Sequence, residues 1–160
     1  MPPSKILSRA QILEAAGRAR ALGQTIVFAN GAFDLLHVGH VRYLEAARRE
    51  GGWLAVGVNS DRSVAAAKGP GRPILPEAER AEIVAALACA DAVTVFDEDS
   101  PSALIAAIRP DVHAKGTDYT ADSVPERDVV AAYGGRTVIV GDAKDHATTD
   151  LIENLVKRQT

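Results

Sequence analysis

Along this chain, short runs of apolar residues alternate with stretches whose apolar positions recur every three or four residues. "ILSRAQILEAAGRARALG" has the longer period and predicts a helix over about 6–22, with Ser8 placed to cap it and Gly23 just past its end. "TIVFAN" is almost wholly apolar, as expected of a strand covered on both faces. The next helix is predicted over about 37–50. There Val41, Leu44 and Ala47 share one face, Arg42, Glu45 and Arg49 point away, and Gly51 and Gly52 end the run. "WLAVGVNSD" predicts a second strand, and "RSVAAAKGPGRPILP" joins a short helical stretch to a Gly/Pro-rich loop. Pro76 suits the first position of the following helix, whose first turn carries Glu77 and Glu79. "DAVTVF", "PDVHAKG" and "GRTVIVG" predict three more strands, with "SPSALIAAIR" a helix between the first two. "TTDLIENLVKR" closes the chain as a helix with Leu151, Ile152, Leu155 and Val156 on its apolar face.

Strands and helices in alternation imply the α/β class with a parallel sheet. The expectation is one doubly wound, Rossmann-like domain over residues 1–160, with about five parallel strands flanked by helices. Its N-terminal helix covers about 6–22 and its core about 25–158. No internal repeat or long linker interrupts it. In such sheets ligands sit beyond the carboxyl ends of the strands, where the strand order reverses. The loops after Ala29, Val58, Phe96, Ala114 and Val140 are therefore the places to look for chemistry.

Composition narrows the classes. A chain of 160 residues buries roughly 68–70% of its unfolded surface, enough for a true core. The net charge of −3 argues against a dedicated nucleic-acid binder, which carries a basic excess. Cys89 is the single cysteine, so an internal disulfide and a multi-cysteine metal site are both excluded. Its small apolar neighbours in "ALACADAV" point to a buried structural thiol. "MPPSKILSRA" shows no signal-peptide pattern, and nowhere do eighteen apolar residues run together. A cytoplasmic setting without membrane contact is expected.

The segment "NGAFDLLHVGH" concentrates the chemistry. Gly31 permits a tight turn after the first strand, and Gly39 lets a ligand approach the backbone. His37 and His40, three apart at a helix start, share a face at the positive end of the helix dipole. Such an end is an anion site. The alternatives are a structural cap or part of a metal site. A metal site needs three or four ligands and only Asp34 is near, so phosphate contact is the better reading. Arg80, on a helix from Pro76, shares a face with Ile83, Val84 and Leu87 and so points inward, where it needs an anion. A ligand phosphate competes for it with Asp61 or Asp91. Lys68 lies in "AAKGPGRP", read as a loop that Gly69 and Gly71 leave able to close. Thr148 and Thr149 open the last helix as caps or phosphate ligands.

"GAFDLLHVGH" resembles the HxGH signature of the nucleotidyltransferase superfamily, which includes cytidylyltransferases and pantetheine-phosphate adenylyltransferases. Three further blocks resemble bacterial heptose 1-phosphate adenylyltransferases: "VNSDRSVAAAKGPGRPILPEAERAEIVAAL", "IRPDVHAKGTDYT" and "ATTDLIENL". All four stand in the family's order, over about 27–156. The resemblance implies adenylyl transfer from ATP to a sugar 1-phosphate with release of pyrophosphate, Mg²⁺ arriving with the ATP. It implies that His37, His40 and Lys68 are catalytic. The nucleotide would be bound by Asn30, Gly31, Ala32, Phe33, Gly39, Arg80, Lys115, Gly116, Asp118, Thr148 and Thr149. Asp34, Asn59 and Asp61 would face the acceptor, no protein metal site is implied, and family behaviour is compatible with a homodimer.

The chain departs from the pattern in several places. Relatives that use CTP and glycerol 3-phosphate carry an arginine–threonine pair shortly before the closing motif. "GDAKDHATTD" has Lys144 and His146 there and no arginine, which weighs against cytidylyl transfer to a polyol phosphate. Ala147 replaces a serine, and Thr117 replaces the second glycine of the usual KGGDY. A nucleotide-binding sensor without turnover is the non-enzymatic alternative, and the presence of His37, His40 and Lys68 together argues against it.

Overall fold

The structure is a computed structural model that describes residues 4–143 and 147–160; Lys144 and His146 lie outside the described residues. Its elements are α1 (Arg9–Ala21), β1 (Ile26–Gly31), α2 (Val38–Arg49), β2 (Trp53–Asn59), α3 (Asp61–Lys68) and α4 (Glu77–Ala85), then β3 (Ala92–Phe96), α5 (Ser102–Ile108), β4 (Val112–Lys115), α6 (Arg127–Ala132), β5 (Arg136–Ile139) and α7 (Thr148–Gln159). All strand pairs are parallel and the sheet order is β3-β2-β1-β4-β5. The chain steps outward from β1 to β3, then returns to lay β4 on the other side of β1. The order therefore reverses between β1 and β4, which is where such a sheet opens a crevice.

The period of two along β1 explains its unbroken apolar run. Val27 and Ala29 face one side, packing with Leu44 and Ala47 of α2 and Val84 of α4. Ile26 and Phe28 face the other, meeting Ile12 and Ala16 of α1 and Leu104 and Ile105 of α5. Both faces are covered, so neither can be polar. Gly57 of β2 completes the second core. A Cβ there would lie 2.8 Å from Phe28 Cζ, so only glycine lets that ring reach the sheet.

Local signals decide several boundaries. Ser8 Oγ accepts from the Gln11 N–H while the Gln11 side chain accepts from the Ser8 N–H, a reciprocal cap that starts α1 at Arg9. The predicted helical start at Ile6 is thus corrected. Residues 5–7 instead run beside β3, with the Leu7 N–H donating to the Val93 carbonyl and the Val93 N–H to the Lys5 carbonyl. This short stretch covers part of the β3 edge, whose backbone groups would otherwise be unpaired. Pro76 is the N-cap of α4 and not its first residue. α6 was not foreseen, because six residues are too few to show a period. Cys89 is half-buried, and burial pushes its thiol pKa up.

The largest difference concerns α7. Its apolar face exists but is not covered: Leu155 is 59% exposed and Val156 58%. Among the described residues, no helix is long and apolar enough to cross a membrane.

Candidate active site

A cleft of about 410 Å³ opens where β1 and β4 part, a size suited to a small-molecule ligand. Its walls come from the β1–α2 loop, the end of α3, the loop before α4, the β4 end and the start of α7. Of the residues singled out above, Asn30, Gly31, Ala32, Phe33, Asp34, His37, Gly39 and His40 line it from the end of β1, the first loop and the start of α2. Asn59 and Lys68 line it from β2 and α3, Lys115, Gly116 and Asp118 from β4, and Thr148 and Thr149 from α7.

The two histidines lock each other. His37 Nδ1 accepts the Gly39 N–H at 3.1 Å, and His40 Nδ1 accepts the His37 N–H at 3.2 Å. The imidazoles thus cap α2 reciprocally, and their rings stack with centroids 3.9 Å apart. Each Nδ1 is an acceptor, so the proton of each neutral ring resides on Nε2. Burial, then the charges of His37 and Lys68, push His40 down to about 4 against a smaller opposing effect of Asp34. At neutral pH His40 is a neutral N–H donor at the positive end of α2.

The turn that delivers these rings does not use glycine where the sequence suggested. Gly31 ends β1 with ordinary strand pairing, and the left-handed residues are Phe33 at φ 50° and Leu35 at φ 48°. Each such non-glycine residue costs about 1–2 kcal/mol. That strain brings the Phe33 ring edge-on against His40, with centroids 5.5 Å apart. Gly31 makes room for it, since a Cβ there would sit 3.2 Å from the Phe33 ring.

Asp34 is not a free carboxylate facing an acceptor. Its side chain is buried and accepts from the Ile74 N–H at 2.8 Å, the Leu75 N–H at 3.0 Å and Arg72 Nε at 3.0 Å. Burial works to raise its pKa, but those three donors outweigh it and hold the carboxyl below its usual range. Asp34 pins the loop before α4 to the first loop and orients Arg72, which lines the cleft. Lys68 proves to be the last residue of α3, not a loop residue, and Gly69 and Gly71 beyond it take left-handed φ of 89° and 83°.

Arg80 and Asp61 are corrected together. Arg80 is 0% exposed. Nε donates to the Leu75 carbonyl, Nη1 to those of Ala32 and Asn59, and Nη2 to Asp61 at 2.8 Å. Neither residue lines the cleft. Arg80 is inward, as its helical face predicted, but its partners are protein acceptors. It ties β1, β2 and α4 together beneath the site.

On the β4 side, burial lowers the Lys115 pKa, with Glu126 and Asp118 pulling the other way, and its ammonium lies 4.6 Å over the Tyr119 ring. Thr148 Oγ1 donates to the Asp34 carbonyl at 2.6 Å, so this hydroxyl ties α7 to the first loop.

The geometry can now be set beside known proteins. Residues 28–157 match the model of the family described as cytidylyltransferase-like. The chain belongs to that family. This nucleotidyltransferase is 49% identical to the bifunctional protein HldE of Syntrophotalea carbinolica over 155 residues, 97% of this chain and 32% of the relative. It is 52% identical to HldE of Methylobacillus flagellatus over 136 residues, 85% of this chain and 28% of that one. The chain thus spans about a third of the curated relatives it matches. Among solved structures, a lipopolysaccharide core biosynthesis protein from Thermoplasma volcanium superposes with a TM-score of 0.66 at 27% identity, covering 76% of this chain and all of that one.

Sequence reasoning missed several cleft residues of the nucleotidyltransferase. Arg72 had a readable signal, a basic residue beside two glycines and a proline. Tyr43 and Ser63 had none: they reach the cleft only because α2 and α3 turn those faces inward. Among the described residues, no group of three or more His, Cys, Asp or Glu could hold a metal ion.

Proposed function

We propose that this domain transfers an adenylyl group from ATP to a sugar 1-phosphate, D-glycero-D-manno-heptose 1-phosphate being the favoured acceptor. The observation that carries the reading is the pairing of two Nε2–H imidazoles at an α2 terminus with Lys68 and Arg72 on the same cleft. A phosphate oxygen of the sugar attacks the α-phosphorus, the bond to the α–β bridging oxygen breaks, and its electron pair leaves with pyrophosphate. The nucleophile is already anionic, so positioning and charge stabilisation are what the protein must supply. His37 and His40 donate to oxygens whose charge grows during the step, and Lys68 and Arg72 supply the positive charge that the neutral His40 ring lacks. Thr149 and the N–H groups opening α7 would meet the outer phosphates, and Lys115, Gly116 and Asp118 would border the base and ribose.

A magnesium ion carried by the triphosphate would add Lewis-acid neutralisation. The donor set fits that arrangement, because Asp34 is committed to Arg72 and two backbone N–H groups and substrate oxygens with water suffice for this ion. The sugar acceptor draws support from the fold neighbour, which is named for lipopolysaccharide core biosynthesis.

The test is pyrophosphate release with ATP, CTP and GTP against a panel of sugar 1-phosphates and polyol phosphates. ATP with a heptose 1-phosphate should be the fastest pair. Turnover confined to CTP with glycerol 3-phosphate would replace the reading with cytidylyl transfer, and tight ATP binding without any turnover would replace it with a sensor.

A further inference from the structure

β4 carries a histidine that the reaction above does not use. His113 is 0% exposed and stands opposite Phe28 in the β1–β4 register, its ring 5.8 Å from that ring between centroids. Nε2 lies 2.9 Å from Asn30 Oδ1. Nδ1 is buried without a hydrogen-bond partner among the described residues. Asn30 is the last polar side chain of β1 and lines the cleft.

This imbalance decides where the proton sits. With the proton on Nε2, the ring donates to Oδ1 and the unmet group is one lone pair on Nδ1. With the proton on Nδ1, a buried N–H has no acceptor, whether or not the Asn30 amide is turned over. Orphaned N–H donors are rarer in protein interiors than under-used acceptors. The Nε2–H tautomer is therefore the stable one, and it makes Oδ1 the inward atom of Asn30. Burial, then the charge of Lys115, pushes His113 down to about 3, so the ring stays neutral and cannot reverse its role by taking up a second proton.

We infer that His113 is a positioning residue: by donating to Oδ1 it holds the Asn30 carboxamide so that the amide nitrogen turns its N–H groups toward an acceptor oxygen of a substrate in the cleft. An amide turned the other way would aim its oxygen at anionic phosphate. The inference rests on the cleft binding phosphate-bearing substrates as proposed above. The acceptor oxygen belongs either to the nucleotide or to the sugar phosphate, and separate measurements with each tell them apart.

The test combines His113→Leu, His113→Gln, Asn30→Ala and the His113→Leu/Asn30→Ala double variant. KM for ATP and for the heptose 1-phosphate, kcat, calorimetric binding of each substrate alone and thermal melting are read for all of them. The neutral hydrogen bond at stake corresponds to a change of roughly 3- to 10-fold in binding. The expected result is that His113→Leu raises KM for one of the two substrates by that factor with kcat little changed. The double variant should bind no worse than Asn30→Ala alone. His113→Gln, whose amide N–H can reach Oδ1, should recover most of the loss even if its melting temperature stays low, so the result does not hinge on how well the leucine variant folds. Nitrogen spectra of the unliganded protein should show His113 neutral with the proton on Nε2. A proton on Nδ1, losses that multiply in the double variant, or a lower melting temperature with both affinities intact would each overturn the inference. Absence of turnover in the wild-type protein would strike the proposed reaction alone, because the tautomer and the calorimetric arms do not depend on it.

Discussion

Around residues 30–40, each turn of the chain is held by another. Two imidazoles cap one helix reciprocally, Arg80 gathers the carbonyls of Ala32 and Asn59, and Asp34 fastens the loop at 74–75. At α7 the helix buries no residue and its side-chain tie to the first loop is the Thr148 hydroxyl on the Asp34 carbonyl. Both regions present donors to the same cleft. The first is preorganised, with strain at Phe33 and Leu35 borne by the packing around it. The second shows that a helix terminus can reach a site without its body joining the core. Preorganised donors are the kind that stabilise developing charge, so the first region should govern turnover and the second, affinity.

The strongest break in this contrast should come from Arg80→Met. It leaves three carbonyls without their Arg80 donor, whereas Asp61, 46% exposed, can be met by water; a buried acceptor stripped of its partner costs about 1–3 kcal/mol. Chemical denaturation should read that loss, and an unfolding midpoint like the wild type's would remove Arg80 from its role. Next, His40→Ala should lower kcat by about 10²–10³-fold, the size found when one preorganised donor is removed. Steady-state pyrophosphate release measures it, with circular dichroism to verify the fold. Unchanged kcat in a folded variant would show that the imidazole is only a cap.

A smaller effect is expected from pH. His40 and His113 have folded pKa values lowered to about 4 and about 3, against about 6.5 in an unfolded chain. Between those values the unfolded chain binds more protons than the folded one. Stability is therefore full above about 6.5 and falls as pH drops below it, by up to about 1.4 kcal/mol per pH unit for each ring. Melting temperatures from pH 8 to 5 should decline accordingly, and His113→Leu should flatten the decline. Thr148→Val should raise KM for the nucleotide several-fold, about 1 kcal/mol for one hydrogen bond, while kcat holds. Smallest of all, Leu155→Ser on the exposed face of α7 should change stability by no more than about 0.5 kcal/mol, read from denaturant midpoints.

Much of this is legible in the sequence. Ser8 and Gly23 mark the limits of α1, and the apolar runs mark the five strands, because caps and periods are local. His37, His40, Lys115 and Thr149 line the cleft, since a strand end or a helix start dictates where such residues go. The inward face of Arg80 is readable from the helical period, but its partners are not, because the carbonyls of Ala32 and Asn59 are remote in sequence. The ties of Asp34 are unreadable for the same reason: the N–H groups that engage its carboxylate come from residues 74 and 75.

By itself, the sequence determined the class of the fold, where its five strands run and the pairing of two histidines at the start of α2, because each depends on neighbours within a turn or two. Only the tertiary structure decided which polar groups are spent on the protein and which remain for a ligand. That assignment depends on distances between segments far apart in the chain, and a buried charge satisfied at 2.8 Å is indistinguishable in sequence from one that awaits a phosphate.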